Sequence, residues 1–236
     1  SVLFLLAAST LPAGELHTSS PEQVGISARA IAECEELIDG QVKNGDLAGI
    51  IVAVLRRGRV AHMKAYGYRD AMNKVPARTD DIVRIYSMSK PIVSVAAMQL
   101  WEQGRFQLDD PVSKYIPAFS QMQVLVSESD KPPRFVPAKR QITVRDAFRH
   151  TTGIAYGGKL HAAVNPGYVD NGMVYWHNGM YPPKFSLLDG MTRLGRVKLL
   201  HQPGEQFTYG LNVDILGRLI EIWSGQTLGE YLQQAM

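Results

Sequence analysis

The sequence predicts an α+β fold: a helical region joined to an antiparallel sheet, of which this chain contains only the N-terminal hairpin. Apolar, mostly β-branched residues run from Ile50 to Leu55, which is typical of a buried strand. Arg57-Gly58 supplies a turn, and the segment from Val60 to Tyr66 returns as a second strand. Downstream, helical spacing dominates. Because a two-stranded sheet is marginal alone, we expect helices or further strands to cover the hairpin.

The first helix is predicted to run from Ala28 to about Lys43, with Ser27 as its N-cap. Apolar residues at three- and four-residue spacing define one face of it: Ile31, Cys34, Leu37, Ile38 and Val42. Cys34 is the single cysteine, and its place in this pattern predicts a buried thiol.

A second helix is predicted to begin at Ser87 and to end near Gly104. Pro91 falls in its first turn, where proline removes no intrahelical hydrogen bond. The expected apolar face consists of Ile92, Val95, Ala96, Gln99 and Leu100. A turn is expected at residues 108–111, and the stretch from there to Pro137 is rich in proline, serine and charged residues.

The C-terminal half is predicted to alternate helices and loops. Thr143 and Asp146 form a capping box for a short helix that ends near His150. Residues 153–183 lack a sustained period and are rich in Gly, Tyr, Asn and Trp, which predicts long loops of the kind that often bind ligands.

Two further helices are predicted after a turn at Pro203-Gly204. The first covers residues 214–224 and is amphipathic, with an apolar face of Ile215, Leu216, Leu219, Ile220 and Trp223. The second begins near Thr227.

Composition excludes several classes of function. The net charge is only +3 and no run of Lys or Arg stands out, so nucleic acid is not an expected partner. One cysteine excludes an internal disulfide and a cysteine-rich zinc site. The histidines show no metal-ligand spacing, and neither a phosphate loop nor a dinucleotide fingerprint occurs. We expect no metal and no cofactor.

Residues 1–18 are interpreted as a signal-peptide remnant and a linker. The short apolar run from Val2 to Ala8 is followed by small residues, as at the end of a secretory signal. The run is too short to cross a bilayer, so no stable membrane span is expected. This interpretation predicts a periplasmic or secreted protein; a frayed terminus packed on the domain is the alternative, and then the protein is cytoplasmic.

The candidate chemistry begins at Ser87-Met88-Ser89-Lys90. Residues three apart share a helix face, so the Ser87 hydroxyl and the Lys90 amine can meet. A serine hydroxyl needs a partner that takes its proton, and a lysine serves once burial or another cation lowers its pKa. A helix N-terminus also favours the developing alkoxide. The alternative is an N-cap serine beside a solvated lysine, and the spacing by itself favours that alternative.

Tyr209 changes this balance. It lies on a predicted loop just before a helix, and a phenol between Ser87 and Lys90 can shuttle a proton if the cation lowers its pKa. A lone tyrosine is otherwise a half-buried core residue.

Taken in order, these segments resemble a known family. Ser87-Met88-Ser89-Lys90, the stretch from Leu108 to Tyr115, His150-Thr151-Thr152-Gly153, Pro203-Gly204 and Tyr209 look like the serine β-lactamase and penicillin-binding-protein superfamily, in its class C β-lactamase-like branch with the family VIII carboxylesterases. The resemblance runs from about Pro21 to Met236 and implies a β-lactamase/transpeptidase-like fold. It implies that Ser87 is acylated, that Lys90 activates it, and that Tyr209 is the general base. The segments around residues 108–115 and His150 are implied to be structural turns.

Two departures from the family pattern bear on the substrate. Class C β-lactamases carry Tyr-x-Asn, whereas Leu211 occupies the third position here and Asn212 comes one residue late. The resemblance therefore favours esters over β-lactams. The family's third motif, three more strands and a second oxyanion donor are implied beyond Met236, so we expect the domain at 19–236 to be incomplete at its C-terminus.

Three hypotheses follow for function, and all leave the oligomeric state open. The first is an esterase that forms an acyl-enzyme on Ser87, with Lys90 and Tyr209 as proton-transfer partners. The second is a β-lactamase or D-amino-acid peptidase that cleaves amide bonds, and the third is a non-catalytic penicillin-binding-like protein.

The expected partner is a small ester or amide substrate. Aromatic residues of the predicted loops are candidates for lining its cleft: Tyr156, Tyr175, Trp176 and Tyr181. No Gly-x-Ser-x-Gly elbow is present, which excludes an α/β-hydrolase.

Overall fold

The computed structural model describes residues 16–157, 161–173 and 185–236. The chain divides into two compact units, one ending at Arg84 and the other beginning at Ile85. Residues 1–15, which include the apolar run interpreted as a signal remnant, lie outside the described ranges. The prediction of one domain over residues 19–236 stays a prediction. In the described ranges, the helices are too short or too polar to cross a bilayer.

The described part of the first unit contains one α-helix and three strands. These are α1 (Ala28–Lys43), β1 (Gly49–Arg56), β2 (Arg59–Asp70) and β3 (Val75–Pro76). The strands form an antiparallel sheet in the order β1-β2-β3. The predicted hairpin is confirmed, with Gly49 opposite Gly67 and Arg56 opposite Arg59. The short strand β3 was not predicted.

Helix α1 packs on β2 with part of the predicted face: Ile31, Ile38 and Val42 are half-buried, whereas Cys34 and Leu37 are exposed. Its N-cap is confirmed, since Ser27 Oγ accepts a hydrogen bond from Ala30 N. Glu35 is half-buried and accepts hydrogen bonds from Lys64 Nζ and Tyr66 OH, at 3.0 and 3.2 Å. These contacts draw Glu35 toward the sheet and leave Cys34 exposed. The prediction of a buried thiol at Cys34 was therefore wrong.

Helices outnumber strands in the described part of the second unit. Its elements are α2 (Ser89–Glu102), β4 (Gln123–Ser127), β5 (Arg134–Pro137), α3 (Val144–Arg149), α4 (Asn165–Asp170), α5 (Leu187–Leu194), α6 (Asn212–Ser224) and α7 (Leu228–Ala235). The predicted α+β class is confirmed. The antiparallel hairpin β4–β5 was not predicted, nor was α5, and α4 interrupts the segment predicted as loop.

The core of the second unit forms where α2 packs against α6. The predicted apolar face of α6 is confirmed, because all five of its residues are buried. On α2 the buried residues are Val93, Ala96, Ala97 and Leu100, whereas Val95 is half exposed, so the predicted face of α2 was rotated from the true one. Ala96 and Ala97 are fully buried, and their small side chains allow the two helices to approach closely.

A buried carboxylate organises the start of α3. The predicted capping box is confirmed, since Thr143 and Asp146 satisfy each other's backbone amides. Asp146 is almost fully buried and also accepts two hydrogen bonds from Arg140, at 2.6 and 2.9 Å, and one from Thr151 Oγ1 at 3.1 Å. Burial alone raises the pKa of Asp146, but the bonds from Arg140 and Thr143 outweigh it and hold that pKa below its usual value.

We predict that Asp146→Asn lowers the free energy of unfolding by about 2 kcal/mol at neutral pH, because several donors lose a charged acceptor. Since the folded-state pKa of Asp146 is depressed, its contribution is present above the unfolded pKa and is lost as pH falls through the folded pKa. The difference in free energy of unfolding between wild type and Asp146→Asn should therefore become smaller at acidic pH. Urea unfolding at several pH values measures this.

The matched control is Asp109→Asn, which removes the exposed ion pair of Asp109 with Arg145. Solvent screens that pair, so the control should barely change stability. If both variants lost the same free energy of unfolding, the stabilising role of the buried Asp146 carboxylate would be contradicted.

Candidate active site

Ser87 lies in a short 3₁₀ turn, Tyr86–Met88, that leads directly into α2 at Ser89. The helix thus begins two residues later than predicted. Tyr86 adopts a left-handed conformation with φ of 46°, which is strained for a residue with a bulky side chain. The Ser87 side chain is exposed, so an external molecule can reach its hydroxyl.

Lys90 lies in the first turn of α2, on the same side as Ser87. Its Nζ donates a hydrogen bond to Ser87 Oγ at 3.1 Å, as the three-residue spacing predicts. The ammonium group also lies 4.7 Å from the centre of the Tyr209 ring. Lys90 is half-buried, so solvent screens its charge only partly.

Tyr209 reaches Ser87 from the loop before α6. Its hydroxyl donates a hydrogen bond to Ser87 Oγ at 2.6 Å, across 122 residues of sequence. The backbone at Gly210 makes this possible, because a Cβ there would lie 2.3 Å from Ile154 O and 2.7 Å from Ala155 Cα. The structure therefore brings together the three residues predicted as catalytic.

The electrostatics of Tyr209 and Lys90 are coupled. The hydrogen bond with Lys90, followed by the one with Ser87, holds the pKa of Tyr209 below its ordinary value. Burial lowers the pKa of Lys90, but hydrogen bonds with Tyr209 and Tyr156 outweigh it, and the net shift is upward. A lysine base with a lowered pKa is therefore not supported. The pair is suited to a phenolate at Tyr209 held by an ammonium at Lys90.

Tyr156 borders the same site. It is half-buried, and its ring centre lies 5.7 Å from that of Tyr209 and 5.9 Å from Lys90 Nζ. Burial raises the pKa of Tyr156, so its phenol stays protonated where that of Tyr209 ionises. The other three predicted cleft residues, Tyr175, Trp176 and Tyr181, lie outside the described ranges.

The residues after Tyr209 face the protein interior. Leu211 is buried with 4% of its surface exposed, and Asn212 is fully buried. The Asn212 side chain accepts from Thr152 Oγ1 and donates to the carbonyls of Ile154 and Thr208. Its amide is thus committed to the protein and does not replace the substrate-binding asparagine missing at Leu211.

His150 contacts the site in a way that the sequence pattern did not indicate. Helix α3 ends near His150, as predicted, and His150 is its C-cap with φ of 55°. In addition, its ring stacks on that of Tyr209, with centres 5.1 Å apart and planes 23° apart. Only its place in His150-Thr151-Thr152-Gly153 marked it beforehand, and that spacing carries no information about Tyr209.

The described residues hold no cluster of three or more His, Cys, Asp or Glu side chains that suits a metal ion. The groups gathered at Ser87 are its own hydroxyl, the phenol of Tyr209 and the ammonium of Lys90.

The fold and the chain's similarities define its class. The described fold is of the β-lactamase/transpeptidase type, and it superposes on EstCE1, a hydrolase with promiscuous acyltransferase activity, with a TM-score of 0.69 and 28% identity over 87% of this chain and 50% of that one. The model of the Beta-lactamase family matches residues 34–236, so the chain belongs to that family.

Curated relatives agree with this assignment. Protein Rv1367c of Mycobacterium tuberculosis is 31% identical over 75% of this chain and 41% of its own length. Esterase EstB of Burkholderia gladioli is 28% identical over 86% of this chain and 47% of its own length. The chain thus spans about half the length, or less, of these two relatives.

We predict that Gly210→Ala lowers the reactivity of Ser87 toward a fluorophosphonate roughly 10- to 100-fold, because the new Cβ must displace Tyr209 from the backbone of Ile154 and Ala155. Labelling rates measured by mass spectrometry test this. Gly229→Ala is the matched control, since a Cβ at that helical position meets nothing within 4 Å. An unchanged rate in Gly210→Ala would show that Tyr209 does not depend on this close approach.

Proposed function

We propose that this chain carries the acylation site of a serine hydrolase that cleaves carboxylic esters. The observation that carries the proposal is the pair of hydrogen bonds at Ser87 Oγ, 2.6 Å from Tyr209 OH and 3.1 Å from Lys90 Nζ. A nucleophilic serine requires a base within such a distance, and Tyr209 provides one whose pKa is lowered.

In the proposed acylation step, Tyr209 is a phenolate and accepts the proton of the Ser87 hydroxyl. Ser87 Oγ attacks the ester carbonyl carbon, and a tetrahedral oxyanion forms. The bond to the leaving alkoxide then breaks, and the alkoxide takes the proton from Tyr209. Lys90 remains an ammonium throughout. It stabilises the Tyr209 phenolate that is present before Tyr209 accepts the proton of Ser87 and again after Tyr209 gives that proton to the alkoxide.

In the proposed deacylation step, a water molecule takes the place of the alcohol. It gives its proton to the Tyr209 phenolate and attacks the acyl carbonyl carbon. Ser87 leaves as an alkoxide and recovers that proton from Tyr209. The sum of both steps is the hydrolysis of one ester to an acid and an alcohol, and all three side chains return to their starting states.

The residues after Tyr209 favour esters over amides as substrates. The side chain of Leu211 lies in the core, and the amide of Asn212 is bonded to Thr152 and two carbonyls. Neither is placed to bind the carbonyl of a substrate amide. Esters depend less on that contact, because an alcohol is a better leaving group than an amine. The similarity to an esterase supports this choice.

We predict that the intact protein hydrolyses p-nitrophenyl acetate and butyrate and is labelled by a fluorophosphonate at Ser87. Ser87→Ala should abolish both, with an unchanged circular dichroism spectrum. Activity that survives Ser87→Ala would exclude this nucleophile. Turnover of a chromogenic cephalosporin that exceeds ester hydrolysis would favour the β-lactamase alternative, and no reaction with any of these reagents would favour a non-catalytic protein.

The proposed base also predicts a pH dependence. Since the pKa of Tyr209 is lowered, kcat/KM should rise with pH at values below the ordinary range of a phenol. At high pH, kcat/KM should fall because the Lys90 ammonium loses its proton. Since the pKa of Lys90 is raised, this fall should occur at pH values above the ordinary pKa range of lysine. Tyr209→Phe should reduce kcat roughly 10²- to 10⁴-fold and remove the rising limb.

The matched control for Tyr209→Phe is Tyr68→Phe, because Tyr68 is an exposed tyrosine of β2. It should leave both limbs in place. A rising limb that persists in Tyr209→Phe would assign the base to another group.

A further inference from the structure

His150 is the strongest unassigned group near the site. Its ring lies between two aromatic residues of the loop before α6, Tyr209 at 5.1 Å and Phe207 at 5.6 Å between ring centres. The stacking geometry toward Tyr209 is nearly parallel, at 23°, whereas Phe207 is tilted by 50°. One face of the Tyr209 phenol is thus covered by His150, and Lys90 Nζ lies over the ring at 4.7 Å from its centre.

The backbone of His150 holds the same loop. In its left-handed conformation, the His150 carbonyl accepts a hydrogen bond from Thr208 N at 2.7 Å, directly before Tyr209. Left-handed φ values are several-fold enriched in Asn, Asp and His among residues other than glycine. The ring and the carbonyl of one residue therefore both act on the segment that carries the phenol.

The His150 ring is unusual because it is half-buried and its Nδ1 has no hydrogen-bond partner among the described residues. A buried polar atom without a partner normally costs stability, so the contribution of this ring comes from its aromatic contacts with Tyr209 and Phe207 and not from a hydrogen bond at Nδ1.

The charges around His150 explain how it remains compatible with the site. Burial, and then the nearby ammonium of Lys90 on α2, hold the pKa of His150 below its ordinary value. The phenol of Tyr209 faces the ring, and on its own helix α3 the carboxylate of Asp146 is bound to Arg140. The imidazole is therefore neutral where Tyr209 ionises, and it adds no second cation that would compete with Lys90.

We propose that His150 is a positioning residue whose ring holds the Tyr209 phenol between Lys90 and Ser87. This proposal rests on the proposed function for its effect on rate, but not for its effect on Tyr209 itself. Without the ring, Tyr209 is free to swing away from Lys90 and loses the contacts that favour its phenolate.

The test separates the ring from the backbone of His150. His150→Asn keeps a residue that tolerates the left-handed conformation but removes the ring. His150→Phe keeps a ring of similar area without the nitrogens. The first should lower kcat roughly 10- to 100-fold with KM little changed. The second should recover part of that loss, because phenylalanine restores the ring but fits the left-handed conformation less well than histidine. His17→Asn, at an exposed position, is the matched control.

The first readout is the rising limb of kcat/KM against pH, which should move to higher pH in His150→Asn and stay near the wild-type position in His150→Phe. A loss of folded protein lowers the amplitude without moving the limb. A limb that stays fixed in His150→Asn would overturn the proposal, even with activity reduced.

The second readout does not require turnover. The ionisation of Tyr209 is followed by NMR of protein with ¹³C-labelled tyrosine, assigned with Tyr209→Phe. Its pKa should rise in His150→Asn and not in His150→Phe, and an unchanged pKa would contradict the proposal. Failure of the proposed function appears separately, as a wild-type protein that neither hydrolyses esters nor labels at Ser87.

Discussion

The candidate site depends on the close packing of α2 against α6. Ser87 and Lys90 belong to the start of α2, and Tyr209 belongs to the loop that enters α6, so the distance between the two helices sets the distance between phenol and hydroxyl. Ala96 and Ala97 of α2 are fully buried in the core cluster to which α6 also contributes. A larger side chain at either position would push the helices apart, and a hydrogen bond of 2.6 Å tolerates very little displacement.

The same contact creates the electrostatic character of the site. Bringing a half-buried ammonium against a phenol raises the pKa of Lys90 and lowers that of Tyr209, since each stabilises the charged form of the other. In the proposed mechanism, the proton acceptor is therefore the tyrosine, and the lysine is the fixed charge that makes it acidic. Lys90 by itself would have been the expected base from its spacing to Ser87.

Several segments around this pair hold it in place. Gly210 lets the loop lie against the backbone of Ile154 and Ala155. The side-chain amide of Asn212 is hydrogen-bonded to Thr152 and to the carbonyls of Ile154 and Thr208. His150 adds a ring beneath the phenol. Such supports explain how an exposed loop can present Tyr209 at a defined position, because each replaces freedom of the loop by a packed or hydrogen-bonded contact.

Local patterns in the sequence determined much of this protein. The caps at Ser27 and Thr143, the hairpin around Arg57-Gly58 and the buried stripe of α6 follow from hydrogen bonds and turns within a few residues, and the ordered motifs pointed to Ser87, Lys90 and Tyr209.

What depends on partners distant in sequence was decided only by the tertiary structure. The face of α2 is defined by where α6 lies, Cys34 is exposed because Glu35 binds Lys64 and Tyr66, and the hairpin β4–β5 forms in a stretch whose composition suggested none. The opposite pKa shifts of Lys90 and Tyr209 arise from a contact between residues that are 119 positions apart in sequence. The stacking of His150 on Tyr209 joins residues that are 59 positions apart. Periodicity and residue spacing describe one segment of the chain at a time, whereas these properties arise where two segments distant in sequence come into contact.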